Sequence, residues 1–217
     1  MVTLRELGDF HRLFLLLYQF HIIASRVSKN PIDFFYKTRY NDNMDMESKR
    51  RTAENLQKFR MPRYAELPNM GLYLEQTTKY INTCLEPLGC LEITPSMVSN
   101  YVKKGLIPNP VKKQYYAEHI AYLFFVAIAK NMLSMEDIGL FIKMQQRSYD
   151  ATTAYNYLCA EMENIIFYIF GLKDTLEQLG DTQSLEKDLL CSLVFSAANV
   201  IYMHACMEGF RTEVQTK

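Results

Sequence analysis

The chain has 217 residues, of which 49% are apolar, and it carries 24 basic and 24 acidic side chains. This length and composition suit a folded protein with a substantial core, in one larger or two small domains. The zero net charge argues against a uniformly basic coat, but the charge is uneven. Residues 94–149 hold seven basic and three acidic side chains, whereas residues 150–217 hold four and ten. A phosphate-binding surface is therefore expected in the middle of the chain rather than in its tail.

The first 46 residues carry one apolar run, Leu13–Ala24. This run is shorter than the roughly 20 residues that span a bilayer, so it predicts a helix packed on the body of the protein. Residues 30–45 show no periodicity, and Met44 or Met46 would be an ordinary start just before a basic stretch. A second interpretation is therefore that residues 1–46 are an N-terminal extension, poorly folded or foreign to the native protein.

Residues 47–68 are interpreted as a basic arm and connector. Glu47–Phe59 is polar and helix-prone, and Pro62 limits any helix there. Arg60 and Arg63 flank that proline, which makes them candidate contacts to a phosphate backbone. The alternative is an extended connector whose arginines are solvated or cap a helix.

The next segment predicts a helix from about residue 69 to residue 85. Its core-facing residues recur at helical spacing, and a turn that contains Gly89 follows. These residues are Tyr73, Thr77, Tyr80, Ile81, Cys84 and Leu85.

The segment from Thr94 to Tyr116 is the most distinctive part of the sequence. It opens as a helix, because Thr94 can accept a hydrogen bond from a free backbone N–H as N-cap and Pro95 fits the first helical position. It closes as one, because Gly105 can adopt the positive φ of a helix C-terminus just after two lysines. A short, capped helix is therefore predicted here.

This short helix has two faces. Val98 and Tyr101 belong to an apolar stripe that should face a core. The opposite face carries short hydrogen-bonding groups and one cation: Ser96, Ser99, Asn100 and Lys103. Such a face suits a helix in the DNA major groove, where an asparagine amide can bond both N6 and N7 of adenine.

The loop after the helix adds basic charge. Lys104 follows Lys103, and Lys112 and Lys113 lie at the tip of a short loop. Between Thr94 and Tyr116 there are four lysines and no acidic side chain. We interpret these lysines as contacts to DNA phosphates, and the alternative is a solvated corner with ordinary surface lysines.

Two further helices are predicted after this loop. Ala117–Met132 carries a core face, and His119 in its first turn is interpreted as a surface or capping residue. Ser134 and Asp137 then form a capping box that opens the next helix.

The tail, residues 150–217, shows a heptad pattern. Apolar residues recur every seven positions in two complementary series, which predicts a seam along one helix of about 40 Å that ends at Gly180. A second long helix should run to about Met207. The apolar surface predicts a homodimer, although a hairpin with the final helix would use the same seam. The seam residues are Tyr155, Leu158, Met162, Ile165, Ile169, Leu172, Leu176 and Leu179.

The order of residues from about 70 to 145 resembles the MerR-type winged helix-turn-helix. The resemblance implies that the helix after Thr94 is a recognition helix and that the lysine-tipped loop is a wing. Together with the helical patterns it implies an all-α fold, with a DNA-binding domain over residues 69–149 and a long-helix hairpin after it. The shared features are Thr94-Pro95, Tyr101, Gly105-Leu106-Ile107, Tyr115-Tyr116 and the helix start Ser134-Met135-Glu136-Asp137-Ile138.

Two departures limit this resemblance. Ser99 stands where that family usually has a DNA-contacting arginine, and the wing is shorter, with lysines in place of arginines. Base specificity is therefore not carried over. More closely, R-M-P-R-Y-x-E-L-P followed by this segment resembles a bacterial family described as a domain of unknown function, number 1836. That resemblance implies a MerR-like DNA-binding fold and no established activity.

Metal binding and catalysis find little support in the sequence. The five cysteines contain no C-x-x-C pair, so they are interpreted as buried residues in a reducing cytoplasm. His204 and Cys206 are two positions apart, which on a helix points them to different sides. No Gly-rich phosphate loop and no known catalytic motif is found.

These patterns predict a dimeric, cytoplasmic, non-enzymatic regulator that binds double-stranded DNA, without a cofactor, a metal or membrane association. Its tail, residues 150–217, is predicted to serve dimerisation and to accept an unknown small-molecule effector. The alternative is a helical protein-interaction or small-ligand sensor module without DNA binding, in which Tyr202, Met203 and Met207 line a pocket.

Overall fold

The computed structural model describes residues 54–180 and 184–215, with side chains described as far as Arg211. The expected N-terminal extension, residues 1–46, lies outside the described residues. The described part is mainly α-helical, as predicted, with a two-stranded antiparallel sheet. Its elements are β1 (Leu72–Tyr73), α1 (Leu74–Leu85), α2 (Pro95–Lys103), β2 (Gln114–Tyr115), α3 (Ala117–Ala129), α4 (Met135–Ser148), α5 (Ala151–Ile169) and α6 (Leu185–Gln215).

Helix α3 forms the centre of the core. Every residue from Ile120 to Ala129 is buried, because α3 packs against α1, α5 and α6. A helix that is apolar on all sides is stable in water only when it is covered on all sides. The first turn of α3 is capped by the buried His119, whose Nδ1 accepts a hydrogen bond from the Tyr116 N–H at 3.2 Å. His119 is therefore a capping residue, as one of the two interpretations held, and it is not a surface residue.

The predicted helix starts are confirmed by their caps. The Thr94 hydroxyl accepts the Met97 N–H at 3.2 Å, and the Ser134 hydroxyl accepts the Asp137 N–H at 3.1 Å. Each bond satisfies a backbone donor that has no partner inside the helix. Helix α1 starts later than predicted, at Leu74, because the two residues before it form strand β1.

The prediction of one tail helix that continues to Gly180 is wrong. Helix α5 ends at Ile169, since Gly171 takes a φ of +70° and the Leu172 N–H closes on the Phe167 carbonyl at 2.8 Å. Leu172, Leu176 and Leu179 therefore lie in a loop beyond the helix and belong to no helical seam. With 19 residues, α5 spans about 28 Å rather than 40 Å.

A buried asparagine holds this loop against α5. The Asn164 Nδ2 donates to the Glu177 carbonyl at 2.7 Å, and its Oδ1 accepts the Glu177 N–H at 3.2 Å. Lys173 donates to the same oxygen. These bonds satisfy backbone groups that a continued helix would otherwise have paired.

The remaining seam residues are covered by the chain itself. They lie on α5, which packs on α3 and α6, and each is at most 3% exposed. In this arrangement they are core residues, as the hairpin interpretation held, and a contact between subunits needs a different surface. They are Tyr155, Leu158, Met162, Ile165 and Ile169.

Helix α6 is the longest element and is apolar on more than one side. Among the described residues its stretch Leu185–Arg211 is long and apolar enough to cross a membrane, although only by length and composition. One such helix is weak evidence, because a core helix passes the same test. Five of its apolar side chains are exposed, and we call them the outer stripe of α6: Leu185, Leu189, Met203, Met207 and Phe210.

Candidate nucleic-acid interface

Helix α2 is fixed to the body of the protein through its inner face. Val98 and Tyr101 are buried there. Just before α2, the side chain of Asn82 on α1 bonds both backbone groups of Ile93, with both distances 2.9 Å. These bonds fix the start of α2. Because Val98 and Tyr101 face the core, the opposite face of α2 is presented to solvent.

The outer face of α2 carries the polar residues that the sequence predicted there. The Ser99 hydroxyl donates to the Pro95 carbonyl at 3.0 Å, and the Ser96 hydroxyl pairs with that of Thr94 at 2.9 Å. The Asn100 Nδ2 makes only a long contact of 3.7 Å to the Met135 Sδ. The side chains with the longest free reach are therefore the amide and the cations. The exposed residues of this face are Ser96, Ser99, Asn100, Lys103 and Lys104.

The end of α2 follows the predicted pattern. Gly105 has a φ of +71°, and the Leu106 N–H returns to the Tyr101 carbonyl at 3.0 Å. Leu106 and Ile107 are buried, which anchors the chain after the helix. Both ends of α2 are thus held by local bonds and burial.

The loop after α2 contains a tight hairpin with Lys112 and Lys113 at its tip. The Val111 and Gln114 backbones exchange hydrogen bonds of 3.0 and 2.9 Å across the turn. Lys112 and Lys113 have φ values of 51° and 66°, and they are the only non-glycine residues of the described segments with positive φ. A two-residue turn of this kind favours Asn-Gly, so lysine at both positions leaves backbone strain.

The hairpin is attached to the body through β2, which pairs with β1. The register places Leu72 opposite Tyr115 and Tyr73 opposite Gln114. Gly71, just before β1, lies so close that an added Cβ would be 2.7 Å from the Gln114 Cβ. Glycine is therefore required there, and the exposed hairpin tip extends from a firmly placed base.

The four lysines of this segment are open to solvent. Lys103, Lys104, Lys112 and Lys113 are exposed, and within the described residues none of them forms an ion pair. Unpaired cations in a segment that carries no acidic residue attract phosphate. The outer face of α2 and the two-lysine hairpin tip together form the candidate interface.

The two arginines predicted to contact DNA are placed differently. Arg63 forms a two-pronged ion pair with Glu163 of α5, with N–O distances of 2.8 and 2.6 Å. The hydrogen bond to Glu163 raises the pKa of Arg63 further above its ordinary range. Arg60 pairs with Glu66 at 2.9 Å. Both guanidinium groups are engaged within the chain, which favours the connector interpretation over phosphate contacts.

The connector, residues 60–67, lies along α5 through several further bonds. The Met61 N–H donates to Glu163 at 2.9 Å, and the Tyr64 N–H donates to the Asn156 Oδ1 at 2.9 Å. Met61 and Leu67 are buried. Sequence reasoning missed these partners, because Glu163 and Asn156 follow the connector by about a hundred positions and no local pattern marks them.

Among the described residues, no group of three or more His, Cys, Asp or Glu side chains comes together that could hold a metal ion. The five cysteines form no disulfide, and only Cys159 is buried, so the interpretation of all five as buried residues is wrong for the other four, which are partly exposed. Met203 and Met207, predicted as pocket residues, are exposed on α6, and the Tyr202 ring packs against Phe170 with centroids 5.6 Å apart.

One protein family matches a segment of this chain that includes most of the connector and most of the helices described above. Residues 62–158 match the family model described as Domain of unknown function (DUF1836). Over these residues the chain is similar to that family. The resemblance to that family is therefore confirmed over α1–α4, the hairpin and the first part of α5. No curated protein and no solved structure matches the chain.

Proposed function

We propose that this protein is a DNA-binding transcriptional regulator whose DUF1836 segment forms a MerR-like winged helix-turn-helix. The observation that carries the proposal is the candidate interface. A capped helix turns an exposed polar face outward, and a hairpin after it carries two unpaired lysines at its tip. In this proposal α1 supports α2, α2 is the recognition helix and the hairpin is the wing.

The roles of the side chains follow from their reach and charge. Lys112 and Lys113 contact phosphates beside the groove, and Lys103 and Lys104 contact phosphates at the end of α2. Asn100 reads an adenine through its amide, with Ser96 and Ser99 close to the groove floor. Arg60 and Arg63 take no part, because both are paired within the chain.

Strain in the hairpin supports a functional role for its tip. Two lysines in the left-handed region cost the folded state energy that Asn-Gly would not. Residues held in such conformations cluster at binding sites.

We further propose that the protein acts as a homodimer through the outer stripe of α6. Leu189, Met203 and Phe210 are separated by multiples of seven positions, so they fall on one side of the helix, and they are exposed in the single chain. Two copies related by a two-fold axis would cover this stripe against itself. The dimer would then present two recognition helices to a palindromic site.

The test is the salt dependence of binding to genomic DNA fragments. Each neutralised phosphate contributes a slope of about −0.9 to the plot of log affinity against log salt concentration. The variant Lys112→Ala/Lys113→Ala should reduce this slope and weaken binding to all sequences alike. The matched control is Lys79→Ala/Lys143→Ala, which removes two exposed lysines from α1 and α4. Salt-independent binding, or no binding to any fragment, would instead favour a module that does not bind DNA.

A further inference from the structure

A partly enclosed cavity lies where four helices meet. Its volume is about 180 Å³, and its walls come from α3, α4, α5 and α6. Helix α4 contributes Phe141, Ile142 and Gln145 to the wall of the cavity, and its Phe141 ring packs against Phe125 of α3. The cavity lies apart from the candidate interface, which is formed by α2 and the hairpin.

Small and aromatic side chains shape the interior. Ala121, Ala151 and Ala154 leave room on α3 and α5, and the rings of Phe125 and Phe141 pack with centroids 5.1 Å apart. These side chains present carbon to the cavity. An apolar space of this kind does not hold water well, because water needs polar partners there.

Most polar groups on the residues that line the cavity already have hydrogen-bond partners, whereas the buried Tyr155 hydroxyl has none within the described part of the chain. The Tyr122 hydroxyl accepts the Gln146 Nε2 at 2.7 Å, and the Ser148 hydroxyl donates to the Glu186 carboxylate at 2.8 Å. A ligand would therefore find few free hydrogen-bond partners, and a charged ligand buried against the carbon-rich walls would lose hydration.

We propose that this cavity is a binding site for a small, uncharged, largely apolar molecule of the size of one substituted aromatic ring. Engineered apolar cavities of about 150 Å³ hold benzene, which sets the scale. The packed pair of Phe125 and Phe141 offers ring edges and faces to such a ligand. This site goes beyond the proposed DNA binding and does not depend on it.

The position of α4 connects this site to the recognition helix. One part of α4 contributes Phe141 and Ile142 to the cavity. Gly139, one turn earlier, lies against the buried Leu106 at the end of α2, where an added Cβ would be 3.1 Å from the Leu106 Cδ2. A ligand that moves α4 therefore has a direct contact through which to move the end of α2.

The experiment measures binding of fluorobenzene to the full chain by fluorine NMR titration. Wild type should show saturable binding. Ala154→Phe places a ring in the cavity and should weaken binding at least roughly tenfold, because the ligand and the new ring cannot share the space. Thr152→Phe is the matched control, since it adds the same ring at an exposed position of α5 outside the cavity, and it should bind as wild type does.

A second variant covers the case in which Ala154→Phe fails to fold, as judged by circular dichroism. Phe141→Ala enlarges the cavity, so it should bind 1-fluoronaphthalene more tightly than wild type does. The proposal is overturned if wild type shows no saturable binding up to the solubility of fluorobenzene. It is also overturned if folded Ala154→Phe and Thr152→Phe bind equally well, which would place the probe elsewhere. DNA affinity enters none of these readouts, so failure of the proposed function would leave them unchanged.

Discussion

Two groups of cations in this protein differ in almost every physical respect. Lys112 and Lys113 are exposed at a strained turn, and within the described residues neither has an ionic partner. Arg60 and Arg63 are bound by carboxylates, and Arg63 is held in two-pronged geometry by Glu163. From the sequence alone both groups were candidate phosphate contacts. The structure teaches that pairing, rather than charge, separates a cation that stabilises the fold from one that can bind a ligand.

The same contrast divides the two tail helices. On α5 the apolar side chains are buried by the rest of the chain, whereas α6 keeps an exposed outer stripe. The buried set contributes to folding. Only the exposed set is available to a second copy of the chain.

The largest effect is expected from charges placed on these two surfaces. Ile169→Glu puts a carboxylate at a site that is 2% exposed, where the charge would lose its hydration. We expect it to lower the free energy of unfolding by at least about 3 kcal/mol, measured by urea denaturation. Met203→Glu adds the same charge at a site that is 61% exposed, so it should leave the chain folded and convert the proposed dimer to a monomer in sedimentation.

Two outcomes would break this comparison. A stable Ile169→Glu monomer would mean that α5 does form the contact between subunits, as the heptad pattern of the sequence predicts. A wild type that sediments as a monomer at all accessible concentrations would remove the dimer and the palindromic site with it.

The next largest effect on stability is expected when the ion pairs of the connector arginines are removed. In Arg63→Ala the Glu163 carboxylate, 16% exposed, loses its cation, and we expect a loss of about 2–3 kcal/mol in the free energy of unfolding. Arg60→Ala should cost clearly less than Arg63→Ala does, because Arg60 and Glu66 are 56% and 45% exposed and water screens their attraction.

Measurements of DNA affinity then test whether the arginines contact phosphates as the hairpin lysines are proposed to do. Both arginine variants, at equal folded concentration, should bind DNA with the salt slope of wild type. A reduced slope for Arg60→Ala would restore that arginine as a phosphate contact.

The elements that the sequence could predict are those with local causes. The start of α2 at Thr94, its end at Gly105 and the start of α4 at Ser134 each depend on residues within one helical turn. The outer face of α2 was predictable for the same reason, since a short amphipathic helix has only one face to bury. The DUF1836 resemblance also depended on a contiguous stretch of residues.

The elements that the sequence could not predict depend on distant partners. The pairing of Arg63 joins positions 100 residues apart. The end of α5 had a local signal in Gly171, but the leucines after it continued the heptad spacing and favoured a longer helix. Asn164, which holds the loop, is an unremarkable polar residue in the sequence. The cavity is set by the distance between α4 and its neighbours, which no pattern within one helix determines.

The hairpin tip offers a test that separates stability from binding. Lys112→Asn with Lys113→Gly supplies the residues that this turn favours, so it should raise the free energy of unfolding by about 1–2 kcal/mol. The same change removes the two proposed phosphate contacts and should therefore lower DNA affinity. Denaturation and a DNA titration on the same preparation check both effects.

The control is Lys112→Ala/Lys113→Ala, which removes the same charges and keeps a Cβ at both strained positions. Its DNA affinity should match that of the Asn-Gly variant, and its stability should stay close to wild type. If the Asn-Gly variant bound DNA as wild type does, the lysines would be ordinary surface residues.

The smallest effect concerns a buried acid in the tail, Glu161, which is 5% exposed and accepts the Tyr157 hydroxyl at 2.8 Å. Burial raises the pKa of this carboxyl above its ordinary value of 4.5. The folded state therefore holds the proton more tightly than the unfolded chain does. This contribution to stability is fully present below the unfolded pKa and is lost as the pH rises through the raised pKa of the folded state.

Glu161→Gln keeps the shape and an acceptor for Tyr157 but cannot ionise. Its free energy of unfolding should exceed that of wild type at neutral pH by up to about 1 kcal/mol, and the difference should close as the pH falls below the unfolded pKa. Urea denaturation between acid and neutral pH measures this trend, with Glu118→Gln, at an exposed position in the first turn of α3, as the control. A difference that grew toward acid would show that the ionised carboxylate stabilises the tail, and the buried acid would then resemble paired Glu163 rather than an uncompensated charge.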